Sequence, residues 1–433
     1  MDPVSKIQLA PNPPQRHDLD ADGESLRLLQ AWLPRYGNIC RVSPLTRTRD
    51  ALVIHHPDDI RQVLLVNRAN YTKGVGLERV RMLLGNGLIV SDGALWMRQR
   101  RMMQPLFHSQ VLRGFSELIR RENLALVERW AEVAARGESI NLTRELSELT
   151  LAIVLRSLIS SDLDRLIDAH GENPFALLTR QSRRDLAFAA QFRALVPLVR
   201  ETIERRRREG RIEHDFLSMM METRDRDTGE AMPDRALLDE IMSLIVAGHE
   251  TTASTLNWTW YLLSQHPDVE AGLHRTADAL APELSASEAA KLPEVAQILE
   301  EALRLYPPVW LFSRRALRDD SIGAYAVPAG TDIFICPYLL HRDPAHWHEP
   351  EVFQPRRFAP EEATDRHRFA FLPFSAGPRH CIGEGFAMSE MAAHLILVAR
   401  RLRLEYCGST TPEPEFLINL RTRQDLQMRP VAR

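Results

Sequence analysis

"FSAGPRHCIGEGFAMSE", Phe374–Glu390, holds one of only four cysteines in a chain of 433 residues. Cys381 stands between a glycine-flanked loop and a segment that reads as the first turn of a helix. The thiolate is the form of cysteine that ligates a metal. Inside a protein such a charge is costly unless something compensates it. Backbone N–H groups at a helix start present partial positive charge. Arg379 adds a cation two residues earlier, and Gly377 permits a tight bend and the close approach of something flat. Gly383 and Gly385 follow, so the surroundings suit an anionic sulfur beside a bulky cofactor. Taken alone, a single cysteine reads first as an inert buried residue, and the decision rests on what surrounds it.

The other three cysteines, Cys40, Cys336 and Cys407, form no CxxC pair with it or with one another, which argues against a zinc site of that type and against a disulfide framework. Hydrophobic residues make up 44% of the chain and charged residues 26%, with a net charge of −3. That balance is ordinary for a globular protein and gives no reason to expect nucleic acid. The basic run "RRRREGR", Arg205–Arg211, is flanked by acids and reads as the solvated end of a helix. No apolar stretch reaches the ~20 residues needed to span a bilayer, and the first residues lack an apolar signal region. The expectation is a cytoplasmic protein with no membrane span, acting as a monomer.

Outward from the cysteine, helical periodicity dominates. "GALWMRQRRMMQPLF" predicts a helix ended by Pro105. A second helix ends at Gly137, a third covers Leu142–Ile159, and two more lie between Pro174 and Gly210. The longest candidate runs from Asp234, expected as its N-cap, to the residues before Pro267. At about 32 residues and 1.5 Å per residue it spans ~48 Å. Its middle, "AGHETT", is unusual, because polar residues occupy positions where an apolar core is expected. "LPEVAQILEEALRLYPP" is a further helix. Short strands are expected between Ser313 and Pro337, and a hairpin near the C-terminus. Tyr338 to Pro373 shows little periodicity, and a loop of that length inside a compact domain is usually functional.

Phe374, Gly377, Arg379, Cys381, Gly383 and Ala387 spell F-x-x-G-x-R-x-C-x-G-x-x-x-A. This string resembles the haem-binding signature of the cytochrome P-450 family, the haem-thiolate monooxygenases. The resemblance implies that Cys381 is the thiolate ligand of the iron in haem b, with Phe374, Gly377, Arg379 and Gly383 around the cofactor. Other motifs follow in the family's order. Glu301-Ala302-Leu303-Arg304 matches E-x-x-R, whose i and i+3 positions share a helix face. Arg357, in "FQPRRF", matches the arginine of P-x-R-F. Glu301, Arg304 and Arg357 then resemble the family's structural network on the thiolate side. "AGHETT" matches A-G-x-[D/E]-T-T and implies that Glu250 and Thr251 are the oxygen-activating pair, with Gly248 leaving space at the helix surface. Thr251 can divert its hydroxyl from the backbone and loosen the helix locally. Thr252 carries no assigned chemistry, and His249 is expected to face away from the haem. Trp96 and Arg100, four residues apart, fall on one helix face and can donate to a carboxylate. By resemblance they serve the haem propionates. Arg98 and Arg101 are alternatives on other faces. Arg315 is expected to serve the propionates too, with Arg314 the residue that could be confused with it.

The resemblance runs from about Tyr71 to the end, and no required motif position is missing. It implies a mainly α fold with small β-sheets (α+β). A lead-in of residues 1–40 precedes a single large haem-thiolate domain, residues 41–433, with a long central helix over the haem. It also implies O2 as co-substrate and a lipophilic small molecule as substrate, such as a fatty acid, terpenoid or natural-product intermediate. The substrate pocket is expected to draw on stretches 74–88, 180–195, 244–247, 309–312 and 416–418, with Leu244, Ala247, Val309, Trp310, Phe312 and Leu417 as its representatives. The chain contains no Gly-rich dinucleotide fingerprint and no flavin module. Electrons from NAD(P)H are therefore expected through separate proteins, a ferredoxin or flavodoxin with its reductase, docking near Arg379 and His380. His341, His346 and His348 do not read as a metal cluster, because their spacings do not impose a shared face. Two alternatives stay open from the sequence. One is a haem-thiolate oxidase that couples, closes rings or uses peroxide, and the other is a haem-based sensor or binding protein.

Overall fold

The computed structural model describes residues 8–180, 186–281 and 284–433. It is mainly α with small sheets, as the sequence implies. It divides into two compact units. Residues up to 78, 301–381 and 414–421 form the first; residues 79–300, 382–413 and 422–433 form the second.

The first unit is built on a five-stranded sheet. Its strand order is Ile39–Val42, Ala51–Ile54, Asp332–Ile335, Phe312–Ala316 and Tyr71–Lys73. Ala51–Ile54 pairs in parallel with Asp332–Ile335, and the other pairings are antiparallel. Ile39, Leu52, Ile54, Ile333 and Ile335 pack with Ile60, Val63 and Leu64 to make its core. The segment set aside as a lead-in contains a helix, Gly23–Tyr36, whose first turn is capped by the Asp22 carboxylate accepting from the Ser25 N–H. Capping of this kind satisfies one of the four orphan donors at a helix start.

In the same unit, Glu301 is fully buried on the Pro293–Leu305 helix, whose last residues belong here. Its Oε2 accepts from Arg304 Nε at 2.7 Å, and its Oε1 from Arg304 Nη2, Arg357 Nε and the Gln354 N–H at 2.9, 2.9 and 2.8 Å. The remaining guanidinium donors go to backbone carbonyls. Arg304 Nη1 reaches His341 and Pro350 at 2.8 and 2.6 Å, and Arg357 Nη1 reaches His348 at 2.9 Å. Arg304 also lies over the Trp347 ring. The stretch without periodicity therefore has a conformation because its carbonyls are gathered by two buried cations. His341 belongs to this structural frame. Its ring Nε2 accepts from the Leu372 N–H at 2.8 Å, and burial pushes its pKa down to about 3. His346 is half-buried and His348 exposed.

The second unit is helical around Asp234–Gln265, 32 residues long as expected. Its N-cap is Pro233, and Asp234 is the first helical residue with no capping bond, which corrects the expected cap. Leu142–Ile159 packs along it. The Ser116–Ala135 and Glu384–Ala399 helices are joined to it by a fully buried chain: Trp260 Nε1 donates to His394 Nε2 at 2.9 Å, and His394 Nδ1 lies 2.7 Å from Asn123 Oδ1. Burial pushes the His394 pKa down to about 3, which fits a neutral ring accepting from an indole. A three-stranded sheet, Ile140–Asn141, Gln427–Ala432 and Leu402–Tyr406, completes the unit. The region between Pro174 and Gly210 is more broken than two helices, with Leu177–Arg180, Leu186–Arg193 and Leu195–Glu209 all helical. Among the described residues no helix is long and apolar enough to cross a membrane.

One basic residue corrects the sequence reading. Arg206, inside "RRRREGR", is fully buried. Its Nε donates to Asp162 at 2.5 Å, and Nη1 and Nη2 donate to Asp215 at 2.7 and 2.6 Å. Arg205 and Arg211 also donate to Asp162. The run is a solvated helix end only in part, because two acids on other helices fold over its second arginine.

Two predictions follow from these clusters. Glu301→Ala removes the anion that Arg304 and Arg357 share, and breaking a buried pair costs about 3–5 kcal/mol. Urea unfolding of the variant should show that loss. A wild-type midpoint would remove Glu301 from the structural frame. Burial opposes ionisation of Asp162, but hydrogen bonds from Arg211 and Arg206 outweigh it and hold the carboxyl below its usual value. A depressed acid stabilises the fold above its unfolded value of about 3.9 and loses that contribution as pH falls through the folded value. Stability should therefore drop below about pH 4, with a shallower slope in Asp162→Asn.

Candidate active site

Of the four cysteines, Cys40 and Cys336 are buried, and burial pushes both thiols up to about 12. Neither is suited to ligation. Cys381 is exposed. Cys407 is exposed too, but it follows the Leu402–Tyr406 strand, and its sulfur lies 3.6 Å from the Glu405 carbonyl.

The Cys381 loop is closed on itself. The Cys381 N–H donates to the Phe374 carbonyl at 3.0 Å, and the His380 N–H to the Gly377 carbonyl at 3.0 Å. Two residues inside the loop adopt left-handed backbone, Ser375 at φ 60° and Gly377 at φ 71°. Gly377 also lies against the Leu64 carbonyl, where a Cβ would come within 2.0 Å of the oxygen. Only glycine tolerates both demands. Phe374 and Arg379 are half-buried on either side of the bend. The next helix, Glu384–Ala399, starts three residues beyond the cysteine with Gly383 as its N-cap.

In the second unit the middle of the long helix departs from its surroundings. From Leu237 to Leu263 it is buried almost throughout, yet Leu244 and Thr251 are half-buried and Ala247 is exposed. Positions i, i+3 and i+7 share one face, so these residues form an uncovered stripe. His249 is on the buried side, where its carbonyl accepts from Thr150. The space left by Gly248 is taken by Val154, whose Cγ2 would stand 2.8 Å from an added Cβ. Thr251 donates to the Ala247 carbonyl at 2.9 Å, and Thr252, Thr255 and Thr259 bond back in the same way. The expected diversion and loosening do not occur, since the Thr251 hydroxyl bonds back to its own helix and the helix runs unbroken through this ladder. Glu250 is half-buried beside Thr251.

Trp96 and Arg100 are both half-buried on the Gly93–Met103 helix. The two alternatives on that helix are engaged elsewhere: Arg98 with Asp225 and Glu230, Arg101 with Asp225 and Asp227. Arg315 is paired within its own sheet. Its Nε and Nη2 both donate to Asp332 at 2.9 Å, a bidentate pair that holds its guanidinium in place. Strand alternation puts Arg314 on the opposite face, where it lies over the Phe312 ring.

The pocket residues separate in the same way. Val309 and Leu417 are exposed and Phe312 is half-buried. Trp310 is fully buried, donates from Nε1 to the Leu417 carbonyl at 2.7 Å and stands edge-on to Phe416. It is an anchor for the Pro414–Thr422 hairpin rather than lining. Within the expected 180–195 stretch, residues 181–185 lie outside the described residues. A haem-thiolate site would need a thiolate donor, cations for two propionates and a small accessible face for dioxygen. Taken separately, the first unit offers an exposed thiol on a closed loop, and the second offers half-buried Trp96 and Arg100 and an uncovered stripe ending at a threonine; each feature fits one of those needs.

A family model described as cytochrome P450 matches residues 17–422. The chain is 33% identical over 426 residues to cyclooctatin synthase of Streptomyces melanosporofaciens, covering 93% of this chain and 90% of that protein. It is 32% identical over 402 residues to cyclooctat-9-en-7-ol 5-monooxygenase of the same organism, covering 88% of this chain and 85% of that protein. Its structure resembles the crystal structure of the cytochrome P450DA heme domain with a TM-score of 0.85 and 25% identity, covering 99% of this chain and 98% of that one. With a family match over nearly the whole chain and relatives above 30% identity along most of their length, this chain belongs to the cytochrome P450 family.

Proposed function

We propose that the chain is a haem-thiolate monooxygenase that oxygenates a lipophilic, terpenoid-like alkene or alkenol. The observation that carries this reading is the exposed Cys381 thiol on its closed, glycine-dependent loop. The relative named for 5-monooxygenation of cyclooctat-9-en-7-ol supports the substrate class. Haem bound through Cys381 supplies the redox chemistry, activating O2 and inserting one oxygen atom into the substrate.

The residues of the chain do the rest. Cys381 donates the thiolate, and Phe374, Gly377, Arg379 and Gly383 shape its surroundings. Trp96 and Arg100 bind propionate. We assign the further propionate cation to Arg315, whose guanidinium Asp332 holds in place through Nε and Nη2. Thr251 holds a proton on its Oγ1, and Glu250 beside it replenishes that proton. Leu244, Ala247, Val309, Phe312 and Leu417 offer apolar contact to substrate. Residues 41–433 act as one catalytic domain, monomeric and cytoplasmic. Electrons come from NAD(P)H through a separate ferredoxin or flavodoxin and its reductase, which dock by charge near Arg379 and His380.

Reduced holoprotein under carbon monoxide should show the red-shifted Soret band of thiolate ligation. With surrogate redox partners, NADPH and cyclooctat-9-en-7-ol or a related alkenol, the product should gain one oxygen from labelled O2. A histidine-type band, or product without label, overturns the proposal. In Thr251→Ala the ratio of product to NADPH consumed should fall by about tenfold or more, with peroxide released instead. Unchanged coupling removes Thr251 from proton delivery.

A further inference from the structure

The uncovered stripe on the long helix has a head. At 100° per residue, Glu240, Leu244, Ala247 and Thr251 fall within about 60° of arc. Leu244 and Thr251 are half-buried and Ala247 is exposed, but Glu240, one turn before them, is fully buried. What covers it is the segment "GNGL", Gly85–Leu88. Glu240 Oε2 accepts from the Leu88 N–H at 2.9 Å. Its neighbour Asp239 is also buried and accepts from the Asn86 N–H at 2.8 Å through Oδ2. Gln99 Nε2 takes the Asn86 carbonyl at 2.9 Å from the Gly93–Met103 helix, which carries Trp96 and Arg100.

The contact is as close as a backbone allows. A Cβ on Gly87 would fall 2.2 Å from Ser243 Oγ and 2.5 Å from the Asp239 carbonyl oxygen. One on Gly85 would strike the Asp239 carboxylate. The segment therefore lies flush on the helix, and two adjacent carboxylates receive its amides. A carboxylate accepting from a backbone N–H makes a charge-assisted bond, roughly twice as strong as a neutral one. Arg193 Nη2 donates to the Met82 carbonyl at 3.0 Å, tying the Leu77–Leu84 helix, which leads into the segment, to the Leu186–Arg193 helix.

We propose that Asp239 and Glu240 are positioning residues that latch Gly85–Leu88 across the head of the stripe and so control how small molecules reach Ala247 and Thr251. The proposal rests on the reading that this stripe borders the haem. The latched segment confines a substrate held over Thr251, and opening it requires both amides to leave their carboxylates. The latch thus links the elements that bind propionate to those that admit ligand.

The test uses holoprotein of wild type, Glu240→Gln and Asp239→Asn, with carbon monoxide as the probe. Amide exchange at Asn86 and Leu88, and the bimolecular rate of carbon monoxide rebinding after photolysis, are measured at equal haem content. Weakening a charge-assisted bond should speed exchange at the paired amide by about tenfold and raise the rebinding rate several-fold. The red-shifted Soret band should stay in place. Unchanged exchange in a normally folded variant overturns the latch. Faster exchange with an unchanged rebinding rate reduces the segment to a strut and overturns its control of access. If Glu240→Gln loads no haem, Asp239→Asn carries the same two readouts. A histidine-type Soret band in wild type would refute the haem-thiolate reading, while the exchange measurement would still judge the latch.

Discussion

A single buried carboxylate organises the part of the chain that ends in the cysteine. Glu301 has no solvent, and its oxygens collect two guanidiniums and a backbone amide. The two cations then use their remaining donors on carbonyls between His341 and Val352. Those carbonyls belong to no helix or sheet ladder. Without the cations these carbonyls would lose their donors, each net hydrogen bond being worth about 1 kcal/mol. Three charged residues thus replace secondary structure over the stretch that leads to Cys381.

The second unit solves a different problem. A long helix buried on nearly every side must still offer one polar, accessible place. It does so by leaving Leu244, Ala247 and Thr251 uncovered on a single stripe and bonding its threonine hydroxyls, that of Thr251 included, to its own carbonyls. Back-bonded threonines add no unsatisfied group to the interior, so the helix stays intact while Thr251 remains within reach of solvent. Val154 in the notch of Gly248 brings the neighbouring helix close on the other side. Glu240 and Asp239, one turn earlier, show the same economy, since each buried carboxylate is matched to a backbone donor of the segment it holds.

Histidines illustrate how burial decides chemistry. His341 and His394 each have a ring nitrogen accepting from a fixed donor, and burial keeps both neutral to about pH 3. They are frame residues, although either type could serve as a ligand elsewhere. The same rule divides the cysteines, two pushed up to about 12 by burial and two exposed, of which Cys381 sits on a loop whose backbone only glycine permits at position 377.

Much of this was legible without coordinates. The signature around Cys381, Glu301 with Arg304 three residues on, Trp96 with Arg100, and a 32-residue helix interrupted by "AGHETT" are local patterns, and local patterns follow from helix periodicity and backbone chemistry. What depended on partners far away in sequence was not. Arg314 and Arg315 are adjacent and alike; only the fold brings Asp332, across the sheet, to Arg315. Arg206 looks like its solvated neighbours until Asp162 and Asp215 close over it. Trp310 reads as pocket bulk until the Leu417 carbonyl takes its indole N–H. Residue type and spacing were enough to name the chemistry, while tertiary packing alone chose the counter-ion, the burial and the exposed face, because a side chain's dielectric and hydrogen-bond partners are set by atoms that the chain brings near only when it folds.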